Sequence, residues 1–142
     1  MLIIGILSKF VYANTSKGVV FLKSLEEFKQ ELIIINNNIN EEMYGRKLDW
    51  QKIEISRDKI IIIGLNRRIS LLKNLDGKDA FTARLIDLAL LNEFKIRFKK
   101  IFEKKFGLKI RTILKDYDPI NQIAGIMIIT VQPAEEFFYI QQ

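Results

Sequence analysis

WQKIEISRDKIIIIGLNRRISLLKNLDGKDAFTARLIDLALLNEFKIRFKKIFEKKF, residues 50–106, is the stretch on which the fold turns. Its spacing predicts three strands, Trp50–Ser56, Lys59–Leu65 and 68–74, joined by Arg57-Asp58 and Asn66-Arg67. In the first, Ile53 and Ile55 alternate with Lys52, Glu54 and Ser56, which leaves one face wet. The second is apolar on both faces and belongs in the middle of a sheet covered on both sides. The third carries Ile69, Leu71 and Leu72 and leaves through Asn74-Leu75-Asp76-Gly77, a turn signal.

A long helix follows, 79–106, with Asp79 as its cap and Gly107 as its stop. Phe81, Leu85 and Leu88 form a first apolar stripe. Leu91, Phe94, Phe98, Ile101 and Phe102 form a second, rotated by roughly a quarter turn at about 100° per residue. The first half is expected against the sheet and the second against a later helix. Glu93, Arg97, Lys100 and Lys104 line the wet face, and Glu93 with Arg97 is a favourable i,i+4 pair.

Upstream, residues 2–7 read as a buried strand that continues to Ala13, with turn chemistry at 14–18 and a returning strand at 18–23. Ser24 with Glu27 forms a capping box for a helix over 25–35, whose stripe is Leu25, Phe28, Leu32 and Ile35. Ile34 lies off that stripe. Asn36-Asn37-Asn38 favours turns, so 36–47 reads as a loop.

Downstream, 108–115 reads as a helical turn or two. Asp118-Pro119 has the chemistry of a helix start. Ile120, Ile123, Ala124, Met127, Ile128 and Val131 fit a helical template to Gln132, while Gly125 and the β-branched run 128–131 favour a strand. Residues 133–142 form a tail. If uncovered, Ile34, Ile126, Ile129, Phe137 and Phe138 make a candidate patch for a protein partner or a second copy of the chain.

The chain has 142 residues, 49% of them hydrophobic, so one domain spanning 1–142 with a substantial core is expected. With no histidine and no cysteine, a Ser-His-Asp triad, a thiol nucleophile and thiolate metal sites are excluded. The acidic pairs sit at helix starts and in loops, where dipole and solubility account for them. No catalytic, cofactor-binding or metal-binding set stands out, and the reading is of a non-enzyme. The net charge of +6 suits an acidic partner. Arg97, Lys100, Lys104, Lys105, Lys109 and Arg111 are the candidate anion-facing residues, for nucleic acid or an anionic membrane surface. The aromatics fall on the core stripe rather than among the lysines, which disfavours nucleic acid. No apolar run reaches the roughly 20 residues that span a bilayer, so a cytoplasmic protein, at most peripheral at a membrane, is expected.

The order strand-strand-helix, three strands, two helices resembles the longin (SNARE-like) domain family. MLIIGILSK at 1–9 is similar to a longin opening. DKIIIIGLNRRISLL at 58–72, followed by a helix with Phe98, Phe102 and Phe106, is similar to its core. The resemblance implies an α+β fold: a five-stranded antiparallel sheet (β-β-α-β-β-β-α-α, longin/profilin-like) with helices on both faces. It also implies an adaptor of membrane trafficking that binds a small GTPase, a SNARE-like segment or a sister subunit. It carries over no binding residue.

Overall fold

The computed structural model describes the backbone of residues 3–7, 10–15 and 18–22, and residues 25–134 throughout. The order is β1 (Ile3–Leu7), β2 (Phe10–Thr15), β3 (Gly18–Leu22), α1 (Leu25–Tyr44), β4 (Trp50–Ser56), β5 (Lys59–Leu65), α2 (Ser70–Lys78), α3 (Ala80–Phe106), β6 (Ile110–Asp118) and β7 (Ile123–Thr130). Two antiparallel sheets form: β1-β2-β3, and a four-stranded sheet in the order β4-β5-β7-β6. The expected five-stranded sheet is therefore replaced. The N-terminal strands make a sheet of their own, in which β2 touches α3 and β3 touches α1.

Three further expectations are corrected. Residues 68–74 do not form a third meander strand. Leu72 and Leu75, three apart, turn inward on α2, with Leu72 buried. Residues 108–115 give β6 rather than helical turns. The helix expected over 120–132 is the strand β7, as Gly125 and the β-branched run suggested. Its neighbours decide the matter: Ile126 stands opposite Ile62, and Ile128 opposite Ile60. A period of two then buries Ala124, Ile126 and Ile128 together. Asp118 caps the β6–β7 turn instead of a helix, accepting from the Ile120 and Asn121 amides.

The core lies between one face of the four-stranded sheet and the pair α1, α3. Phe28, Leu32, Ile35 and Ile39 of α1 meet Phe94, Phe98, Phe102 and Phe106 of α3. The four α3 rings recur every four residues and form a continuous ladder, with centroids 5.7, 5.9 and 5.0 Å apart. Phe28 closes it, 4.7 Å from Phe106. Edge-to-face and offset contacts of this kind add to the burial itself. The halves of α3 are thus reversed from expectation: the second half is core, and Phe81, Leu85 and Leu88 are exposed. Both expected ends of α3 are present. Asp79 accepts from the Thr82 amide, and Gly107 adopts φ 68° as its N–H bonds Glu103.

Helix α1 runs on through the asparagines to Tyr44, because their amides find partners without breaking the helix. Asn40 donates to Asn36 and receives from Asn66, Asn36 donates to Gln51, and Asn37 accepts from Gln51 and from the Leu48 amide. The buried polar ladder is satisfied, which removes the reason to turn. Gly45, at φ 81°, ends the helix. The capping box at Ser24 lies outside the described residues.

Candidate functional site

The second face of the four-stranded sheet carries no helix among the described residues. Alternation along the strands places Trp50, Lys52 and Glu54 of β4 there, then Ile61, Ile63 and Leu65 of β5. Ile123, Met127 and Ile129 of β7 follow, with Leu114, Asp116 and Asp118 of β6. Ile63 is 44% exposed, Trp50 48% and Leu114 55%. Gly125 lies among them, and a side chain there would meet nothing within 4 Å. The result is a shallow depression lined by Ile61, Ile63, Leu114 and Met127. Apolar residues predominate on the two central strands, with Lys59 at one end of β5, and charges of both signs stand on the outer two beside Trp50 and Leu114.

A polar cluster sits at one end of the molecule, on the helical side. The Arg68 side chain, 3% exposed, is gripped by two carboxylates. Its Nε and Nη2 donate to Asp76 at 3.0 and 2.8 Å. Its Nη1 and Nη2 donate to Asp87 at 2.5 and 3.0 Å. Burial opposes the guanidinium charge, but the bonds to Asp76 and Asp87 outweigh it and raise its pKa further. The bond from Arg68 holds the Asp76 carboxyl below its usual range. The clamp ties the loop after β5 to both α2 and α3. Tyr117 donates to the Asn66 carbonyl at 2.7 Å and fastens β6 to the same loop.

Beside it, Lys115 projects from β6 with its ammonium 3.2 Å from the centroid of the Phe94 ring. Burial, with the like charge of Lys95, lowers its pKa from 10.5 to about 7. Burial pushes the neighbouring Tyr44 and Tyr117 hydroxyls up to about 12. A partly unprotonated amine at neutral pH is a nucleophile in principle. The cavity it lines with Tyr44, Leu91 and Tyr117 measures about 30 Å³, room for a water or two rather than a substrate.

The residues singled out from the sequence do not form one patch. Ile34 is exposed, Ile129 is half-buried on the open sheet face, and Ile126 is buried in the core on the opposite face. Phe137 and Phe138 lie outside the described residues. Of the candidate anion-facing residues, Arg97 is paired with Glu93 and Glu42, and Lys105 with Glu31. Lys104 is not free either. Lys100, Lys109 and Arg111 are exposed. The basic region is therefore threaded with carboxylates. Ile61 and Ile63 escaped the sequence reading because cover was expected on both faces of β5, and Leu114 and Met127 because β6 and β7 were expected to be helical. The alternation through 123–130 was the signal available for them. No helix among the described residues is long and apolar enough to cross a membrane. Comparison with protein-family models, with curated proteins and with solved structures finds no match.

Proposed function

We propose that the chain is a non-enzymatic protein–protein interaction module that docks its partner on the open face of the four-stranded sheet. One observation carries this reading: Ile61, Ile63, Met127 and Leu114 form a contiguous apolar surface on three paired strands, without a cover among the described residues. Such surfaces on folded proteins mark interaction sites. The rim mixes Lys52 and Lys59 with Glu54, Asp116 and Asp118, which suits a protein better than a phosphate polymer or an anionic lipid surface. A small GTPase, a SNARE-like segment or a sister subunit of a trafficking assembly is the partner class to test first. That choice comes from the sequence resemblance, and the open face supports docking without favouring one of the three.

The test is a differential capture from the source cells with wild-type bait and an Ile63→Asp/Leu114→Asp bait. Both positions are exposed, so the variant should fold, which circular dichroism would verify. A protein retained by the wild type and lost by the variant supports the reading. Equal retention of every captured protein overturns it, and salt-sensitive binding to RNA or acidic vesicles in its place would favour the basic region.

A further inference from the structure

We propose that a second copy of this chain pairs on the edge of β4, antiparallel and centred on Ile53, so that two four-stranded sheets become one of eight strands. Among the described strands β4 pairs with β5 alone. The direction of its outer hydrogen-bonding groups follows from the ladder. The Asn66 amide bonds the Gln122 carbonyl at 2.8 Å, in the register that sets Leu65 against Ile123. Alternation then points the even-numbered residues of β5 at β7 and the odd-numbered ones at β4. The β4 partners of those odd residues are Trp50, Lys52, Glu54 and Ser56. Gln51, Ile53 and Ile55 are left with N–H and C=O groups directed away from the sheet.

Those outward residues are self-complementary about a two-fold axis at Ile53. Ile53 would face Ile53 of the partner copy, and Gln51 would face Ile55, each opposed pair exchanging two hydrogen bonds. The same register sets Lys52 against Glu54 on both sides of the axis, in the closer, non-hydrogen-bonded positions. Within one chain Lys52 Nζ already lies 3.2 Å from Glu54 Oε1, with both side chains largely exposed. A second copy thus meets opposite charges wherever it meets charge. The other edge is unlike this one: β6 has a register break between Ile110 and Thr112, a feature that ends pairing. β4 has neither bulge nor proline. On the helical side, Gln51 holds the flank of α1 through Asn37 and the Ile33 carbonyl. Ile34, three residues before Asn37 on that flank, is 47% exposed. The two copies of Ile34 would close over the new strand pair.

Light scattering across a concentration series should show a monomer–dimer equilibrium. Lys52→Glu and Glu54→Lys each turn two attractive cross-strand pairs into repulsive ones and should weaken dimerisation about tenfold. The double exchange K52E/E54K should restore it. Ile63→Asp, on the sheet face, should leave the dimer intact. Because the chain lacks cysteine, a mixture of K52C and E54C proteins can report the register: it should form a disulfide faster than either protein alone. A monomer at the highest concentration reached, a double exchange no better than the singles, or equal crosslinking in all three samples would each overturn the proposal.

Discussion

Replacing Lys115 with methionine should stabilise the protein, most strongly at and below neutral pH. The ammonium sits over the Phe94 ring, and burial with the like charge of Lys95 lowers its pKa from 10.5 to about 7. The difference, 10.5 − 7, is 3.5. At 1.36 kcal/mol for each, carrying the charged form into the fold costs at most about 5 kcal/mol. The contact with the ring face returns about 1–2 kcal/mol, which leaves a net cost of ~3 kcal/mol and narrows the titration window from its lower end. The unfolded chain holds this proton up to 10.5 and the folded chain only to about 7. Between those values the unfolded state binds more protons, so stability rises with pH across the window and the cost is gone above it. Below about pH 7 the cost is constant. Methionine has similar length and no titration, so the gain from Lys115→Met should be ~3 kcal/mol at about pH 6 and should shrink towards pH 9.5. The raised hydroxyls of Tyr44 and Tyr117 act in the opposite sense, but only above about pH 10. Urea unfolding of both proteins at a series of pH values measures the difference directly. A difference independent of pH, or a methionine variant less stable at about pH 6, would refute the reasoning: it would mean that the ammonium is solvated or paired.

Gly64→Ala should destabilise by about 1–3 kcal/mol, because the new Cβ would lie 2.8 Å from the Trp50 carbonyl oxygen and 2.5 Å from Leu48 Cδ2; thermal unfolding reads it. Phe98→Ala should cost about 3–5 kcal/mol, as a ring with no exposure in the middle of the ladder. Phe81→Ala, at 73% exposure on the same helix, should change stability by under about 0.5 kcal/mol; equal losses for the two would contradict the reversed halves of α3. Asp87→Asn removes one carboxylate from the buried Arg68 and should cost about 2 kcal/mol. In the wild type, the part of the clamp held by Asp76 should be present above its ordinary pKa of 3.8 and lost as the pH falls through its lowered value. Acid unfolding of the wild type and Asp76→Asn, compared, checks this.

Local chemistry that acts over three or four residues was legible. Asp79 and Gly107 bound α3 as their types require, Glu93 pairs with Arg97, and β4 and β5 have the expected limits. What failed depends on partners distant in sequence. Residues 123–130 satisfy helical spacing and strand alternation alike, and only the isoleucines of β5, some 60 residues away, select the strand. The asparagines of α1 carry turn chemistry, and only Gln51 and Asn66 keep them in a helix. Residues 68–74 read as a third strand, and it is the distant match of Arg68 with Asp76 and Asp87 that ties the segment into a helical hairpin. Each override is a long-range polar or apolar match that outweighs weak local propensity.

The case of β5 differs, because there the sequence reading and the fold disagree about cover rather than about conformation. Ile60 and Ile62 face the helices, and Ile61 and Ile63 face outward. From the sequence, apolar residues on both faces required cover on both sides. The described chain supplies cover on one. An accidental lapse would leave isolated apolar residues on the second face, since single exposed ones are ordinary. Here Ile61 and Ile63 are continued by Met127 across the ladder and by Leu114 beyond it, on three adjacent strands. A pattern maintained across strands so far apart in sequence is that of a face built to be covered. With helices α1 and α3 committed to the other side, the proposed docked partner would supply the cover that the strand's composition calls for.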